Sequence, residues 1–414
     1  MIDFKVIKTG ISKIDPLSLV RSLIILEVVV LLFSTAAAVI VEILVFLCFI
    51  SSRKLHHRIF SEIKQPMVVM ALVLYVMVCM GVLYSVAPFS ESMDMWGSWR
   101  KLLLVPLVAS VYTDLQWKQR LVFILIGIIT LSAVVSFAGY IFNFTIYYKL
   151  PVAIVVDNRA TQGMLFSVAM FACLVVLRFP MSQNSAPGWL LKLSAVILAL
   201  NILFVTPGKS GYLAFVVLIM VFIFFGVQKK IRIIMLLLVP LVVLALLLAS
   251  PVAKNRIFEG IDEFQNYEQS SQLTSTGIRV VMWKNTIQLL KRFEHPVFGY
   301  GTSGFETAYK QQVEGQKGWQ GQPVGDPHNQ YLRILVEYGL VGLILFLLFI
   351  FSFFRQGIKG PFYIMGIGVV LAWCATSMFS AHFTTFIEGR FLMIWCGALL
   401  SLSTSQKQAE YTAQ

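Results

Sequence analysis

Apolar runs close to twenty residues long recur along this chain, and no other feature limits the fold so sharply. About 20 apolar residues in a helix cross the hydrocarbon core of a bilayer. A helix also satisfies its own backbone polar groups where lipid offers no partner. Only 13% of the 414 residues are charged and 58% are hydrophobic, with mean hydropathy +0.81. Soluble domains carry about a quarter charged residues. The chain reads as an all-α polytopic integral membrane protein with about 12 transmembrane helices.

The expected spans are 17–35, 37–51, 66–87, 101–114, 120–142, 161–179, 188–206, 211–227, 231–250, 333–354, 361–380 and 390–405. The span at 101–114 is short, and only a small-residue turn near Ser34 separates the first two. Three regions follow: an N-terminal transmembrane bundle (1–250), a long polar loop (251–333) and the C-terminal spans with a short tail (334–414). Alternate short loops are basic, with Arg53, Lys54, Arg58 and Lys64, then Lys118 and Arg120, then Lys229, Lys230 and Arg232. The N-terminal segment adds Lys5, Lys8 and Lys13. Basic short loops mark the cytoplasmic side, so both termini are expected inside and the long loop outside. Much of the +13 net charge therefore sets topology and does not point to a nucleic-acid partner. The first sixteen residues lack the pattern of a removable signal. All five cysteines lie in apolar runs without metal-ligand or disulfide spacing.

The long loop holds nine Lys/Arg and eight Asp/Glu, the balance of a folded element. Ser275-Thr276-Gly277 begins a helix and Pro296 follows its end. Val280, Trp283, Ile287 and Leu290 form its apolar face, with Asn285 and Arg292 opposite. Arg279 falls in the first turn, where a cation opposes the helix dipole. Either an anion sits between Arg279 and the free N–H groups, or the arginine snorkels to water. Ser303 and Glu306 have capping-box spacing for a second helix, and the nearby glycines suit structural turns. Asp326-Pro327 suits a third helix start, placing His328 in its opening turn. That position lowers a histidine pKa and suits a general base; the alternative is a histidine hydrogen-bonded within the turn.

Other candidates flank the loop. Arg159 and Lys209 stand at the outer ends of spans, where phosphate or lipid headgroups are their partners. Arg100 and Lys101 are similar, with headgroups favoured. Glu27 and Glu42 lie inside spans, where acids are functional by default, although helix-to-helix hydrogen bonds also explain them. No Asp-x-Asp pair faces outward, which disfavours a metal-dependent reaction.

In order and spacing these pieces resemble the O-antigen ligase and polymerase family. The carrying motifs are the Arg279-x3-Trp283 helix, the His295-Pro296-x-x-Gly299-x-Gly301 turn, Phe305-x3-Tyr309, and His328-Asn329-x-Tyr331 running into Glu337-Tyr338-Gly339-Leu340-Val341-Gly342. The resemblance implies a bacterial inner-membrane glycosyltransferase whose long loop is periplasmic and contains short helices. It matches His328 to an essential loop histidine and Arg279 to a loop arginine, with Asn329 and Tyr331 beside them. Lys209, in Thr206-Pro207-Gly208-Lys209-Ser210-Gly211, stands where many members carry arginine. Arg159-Ala160-Thr161-Gln162-Gly163 is one residue longer than the family's Arg-x-x-Gly. The implied donor is O-antigen on undecaprenyl diphosphate and the implied acceptor a sugar hydroxyl of lipid A–core. No cofactor and no metal are expected. O-antigen polymerization on the same carrier is the alternative within the family. A flippase or carrier relying on Glu27 and Glu42 is the alternative outside it, although no internal repeat supports a transporter.

Overall fold

The computed structural model describes residues 15–146, 151–181, 186–266, 274–292, 294–316, 318–357 and 359–402. Lys5, Lys8, Lys13 and the tail after 402 lie outside these residues. All regular structure among the described residues is helical. In chain order the helices are α1 (Pro16–Leu31), α2 (Thr35–Ser51), α3 (Arg53–Glu62), α4 (Pro66–Leu83), α5 (Phe89–Trp99), α6 (Leu104–Val111), α7 (Leu115–Ile141), α8 (Arg159–Arg178) and α9 (Gly188–Phe204). There follow α10 (Lys209–Gly226), α11 (Lys229–Ala249), α12 (Pro251–Gln265), α13 (Ser275–Lys291), α14 (Gly304–Val313), α15 (Gln330–Phe354), α16 (Pro361–Thr376) and α17 (Phe386–Leu400).

Each expected span coincides with a helix, but the helices are not equivalent. Six of them, α4, α7, α8, α10, α11 and α15, are by themselves long and apolar enough to cross a bilayer. A seventh crossing arises if α2 and α3, bent by 98° at Ser52, act together. The expected span at 101–114 is instead a 3-10 turn (Arg100–Leu103) followed by the eight-residue α6, every residue of which is buried. Its apolarity reflects enclosure by protein, and at 1.5 Å per residue it is too short to cross.

α8 forms the centre, buried along nearly its whole length and packed by α7, α9, α10 and α16. Lipid gives apolar helices no hydrophobic reason to associate, so close approach through small residues decides the pairing. At the α8–α10 crossing Gly163 meets Gly211; a Cβ on Gly211 would lie 2.7 Å from the Gly163 Cα. At the other extreme, α11 buries only Val243 and Leu247 and leaves its leucines and isoleucines outward. That is the composition of a lipid-facing helix.

The glycines after His295 serve backbone pairing. α15 is interrupted at Gly339, whose φ of +64° breaks the helix. The freed backbone is taken by the loop: Tyr300 N donates to Val336 O, Gly301 N to Glu337 O, Leu340 N to Pro296 O and Val341 N to Val297 O. The expected turn at 295–301 is therefore a strap laid along a broken helix. α14 forms as expected, but Ser303 and Glu306 make no capping box. Ser303 is left-handed (φ +66°) and its side chain caps nothing.

Candidate functional site

Two helix starts are brought together first. Asn158 caps α8, its Oδ1 accepting from Ala160 N at 2.8 Å and Thr161 N at 3.0 Å. The turn before α10 is tied in from the side, with Gln162 Nε2 donating to Thr206 Oγ1 and Thr206 Oγ1 donating to Asn201 Oδ1. The Gly163–Gly211 contact lies four residues into α8 and two into α10, so the starts of both helices meet. Gly208 approaches so closely that a Cβ there would lie 2.5 Å from the Arg159 carbonyl oxygen. Arg159 and Lys209 thereby reach one cavity.

α12 and α13 supply the other wall. The cavity, about 580 Å³, is lined by Arg159, Lys209, Arg256 and Arg279 on its basic side. Leu213, Leu247, Ile261, Phe264, Val280 and Trp283 make its apolar side. Glu263 of α12 occupies the anion seat at the start of α13, accepting from Thr276 N at 3.0 Å. Lys209 Nζ lies 3.4 Å from the same carboxylate and donates to Thr276 Oγ1 at 3.0 Å. This corrects one expectation. At the start of α13, Thr276 N is served by an internal carboxylate and Gly277 N by Thr274 Oγ1, and Lys209 is partly engaged in holding that carboxylate. Arg256 pairs with Glu259 at 2.5 Å. Arg159 and Arg279 have no carboxylate partner among the described residues. Arg279 donates only to Ser275 O at 3.3 Å, and its buried Nε lacks a partner. Burial lowers its pKa, with Glu263 opposing.

The buried face of α13 also differs from the expected one. Val281, Met282, Asn285, Thr286 and Leu289 are buried, whereas Ile287 is exposed. Asn285, expected on the outer side, donates to Tyr309 OH of α14 at 3.0 Å. Val280 and Trp283 instead face the cavity. Periodicity identified an apolar stripe but not which neighbour it meets.

His328 stands at the cavity's edge. It is not in the first turn of α15: that helix is capped by Asn329, whose Oδ1 accepts from Tyr331 N and Leu332 N. His328 precedes the cap in a left-handed conformation, φ +50°, which histidine tolerates better than most residues. Asp326 holds it there, accepting from His328 N at 2.6 Å while pairing through its other oxygen with Arg333 at 3.2 Å. Trp283 Nε1 donates to Pro327 O at 2.9 Å, which ties the cavity wall to the residue before His328. Burial lowers the His328 pKa, Asp326 opposes this, and Arg279 adds to the lowering. The direction matches the expectation, but the cause is burial and a nearby guanidinium.

The remaining candidates lie elsewhere. Arg100 pairs with Glu42 at 2.9 Å, and Arg390 of α17 pairs with the other Glu42 oxygen at 2.7 Å. Lys101 is fully buried and donates to the carbonyls of Thr384 and Thr385. Neither is a free headgroup contact, because both tie α17 to the rest of the bundle. Glu42 joins helices, whereas Glu27 is buried without a hydrogen-bond partner. Asn329 also donates to Met378 O, and Tyr331 OH to Cys374 O. Together they fix the start of α15 against the last turn of α16 and the segment after it. His295 packs edge-on against Tyr300.

Three participants were not legible in advance. Arg256 lies in α12, a helix continuing from α11 after a one-residue break at Ser250. Phe379 packs on Trp283 with ring centres 5.8 Å apart. His382 is 3% exposed, and neither ring nitrogen has a hydrogen-bond partner. It lines a smaller cavity that shares Ala160 with the basic one. Only its place in the short stretch between the expected spans 361–380 and 390–405 could have drawn attention to it.

An all-helical polytopic membrane protein with a basic, apolar-walled cavity beside a histidine is the class that fold and site define. A family model described as O-antigen ligase matches residues 194–347, and this region of the chain is similar to that family. The matched stretch runs from α9 through the strap and into α15, so it includes Lys209, Arg279 and His328 but not Arg159. The chain is also similar to an uncharacterized protein of Haemophilus influenzae, 26% identical over 260 residues. That similarity covers 61% of this chain and 63% of the relative.

Proposed function

We propose that the protein transfers O-antigen polysaccharide from undecaprenyl diphosphate to a sugar hydroxyl of lipid A–core at the periplasmic face of the bacterial inner membrane. One observation carries this reading: a single cavity has arginines on one wall and leucine, isoleucine and phenylalanine on the other. A polyprenyl diphosphate needs both, cations for its phosphates and an apolar surface for its chain. Arg159 and Arg279, without carboxylates of their own, are the groups that would meet the diphosphate. Arg256 adds charge, and Lys209 chiefly secures Glu263 and α13.

In the reaction the acceptor hydroxyl oxygen attacks the anomeric carbon and the bond from that carbon to the diphosphate oxygen breaks. The hydroxyl proton passes to His328, which burial and Arg279 keep in the neutral form a base requires. Undecaprenyl diphosphate leaves with its growing negative charge set against the guanidinium groups, which do the work a divalent cation does elsewhere. No metal is needed in this scheme.

Purified full-length protein incubated with lipid-linked O-antigen and lipid A–core, in the presence of a chelator, tests the reading. Glycan joined to lipid A–core is the expected product. Longer carrier-linked chains would instead make the protein a polymerase, and dependence on added Mg²⁺ would end the metal-free scheme.

A further inference from the structure

A second cavity adjoins the first. It measures about 320 Å³ and is lined by Asp157 and Asn158 before α8, by Ser380, His382 and Thr385 before α17, and by Glu388 within it. Ala160 lines both cavities, so the first turn of α8 is their shared wall. The volume falls within the roughly 300–1,000 Å³ of small-molecule sites. Its chemistry is opposite to its neighbour's, with two carboxylates and an imidazole where the first has four cations.

His382 points to a ligand. A buried imidazole with both nitrogens unpaired carries an uncompensated desolvation cost unless something binds there. Glu388 Oε1 accepts from Thr161 Oγ1 at 2.5 Å and lies 3.8 Å from His382 Nδ1, too far for a hydrogen bond. Asp157 Oδ2 accepts from Asn158 Nδ2 at 2.6 Å and lies 3.3 Å from Thr161 Oγ1. Burial lowers the His382 pKa against the opposing Glu388 charge, so the ring both donates and accepts. The described residues contain no group of three or more His, Cys, Asp or Glu disposed to hold a metal ion, and the carboxylates would repel a phosphate. A neutral polyhydroxyl compound satisfies acceptors and an amphoteric ring together.

We propose that Asp157, His382 and Glu388 form a binding subsite for a neutral sugar of the acceptor, held across the α8 turn from the donor diphosphate. The proposal rests on the reading that a sugar hydroxyl is the acceptor. It makes His382 a specificity-determining residue distinct from the base His328.

The test uses full-length protein in nanodiscs with His382→Gln and Asp157→Asn. Initial rates are measured with acceptor and donor varied separately, and core oligosaccharide stripped of phosphate is titrated onto donor-free protein. Each variant should raise the KM for lipid A–core about tenfold, the loss of one good hydrogen bond, and weaken oligosaccharide binding equally. The donor KM should stay within about twofold of the unmodified protein. An unchanged acceptor KM in both variants overturns the subsite, as does a fall in kcat alone. Asp157 is exposed, so if His382→Gln fails to fold, Asp157→Asn decides. A protein that binds the oligosaccharide through Asp157 yet transfers nothing to lipid A–core keeps the subsite and loses the proposed function. Transfer with no effect of either variant does the reverse.

Discussion

Arg279→Ala separates a ligand-binding arginine from a structural one. In the folded protein Arg279 makes one hydrogen bond, to Ser275 O at 3.3 Å, and leaves Nε unpaired in a buried position. Removing that bond costs about 0.5–1.5 kcal/mol. Removing a desolvated charge with no carboxylate partner is favourable and offsets it. The unliganded variant should thus stay within about 1 kcal/mol of the parent, a melting shift of roughly 2–4 °C or less. Transfer should behave differently. A guanidinium bonded to a diphosphate contributes about 1.5–3 kcal/mol, so the rate should fall roughly ten- to a hundredfold or more. Arg279→Lys, which keeps the charge and loses the fork, should fall between. Thermal melting in detergent and initial transfer rates on the same preparations give both numbers. Loss of rate only in proportion to loss of folded protein would refute the reasoning, as would a rate within twofold of the parent.

Gly211→Val should force α8 and α10 apart, because its Cβ would stand 2.7 Å from the Gly163 Cα. Overpacking of this kind costs about 1–3 kcal/mol, and donor affinity should fall with stability in a melting and binding series. Transfer should lose activity as pH falls through the His328 pKa. That pKa is lowered from the ordinary 6.5 by burial, so the acid limb of kcat should have its midpoint below pH 6.5; a midpoint above it would show His328 is not the titrating base. Asn285→Ala strips the buried Tyr309 hydroxyl of its amide partner and should cost about 1–3 kcal/mol of stability, read by thermal melting. The shape of its pH–rate profile should not change. Lys209→Ala should release Glu263 and loosen α12 from α13, so amide exchange in these two helices should accelerate together with the loss of transfer.

The parts of this fold set by solvent were legible in the sequence. Apolar run length located a helix at every expected span, and the long loop's balanced charge foretold folded helices there. α13 began and ended where its cap residues and Pro296 indicate. Less was legible where one element is defined by another. The run at 101–114 is as apolar as a span, but it is enclosed by protein, and composition does not distinguish the two surroundings. Asn285 looked solvent-facing because nothing local announces Tyr309 across the α13–α14 contact. Asp326-Pro327 has the chemistry of a helix start, but Asn329, three residues after Asp326, has it too and is the cap used, which leaves His328 outside the first turn. The cationic cavity depends on Gly163 meeting Gly211 and on α12 following α11 after Ser250, long-range facts that bring Arg159 and Arg256 to Arg279. The pairing of Glu42 with Arg100 and Arg390 was equally hidden, since the partners are far apart in the chain.

The most direct measurement is single-turnover transfer by His328→Ala protein whose binding of the lipid-linked donor is measured on the same sample. Donor affinity near that of the unmodified protein, with transfer reduced about 10²–10⁴-fold, is the expected result for a general base beside an intact arginine cavity. Transfer at the parental rate by His328→Ala would contradict it.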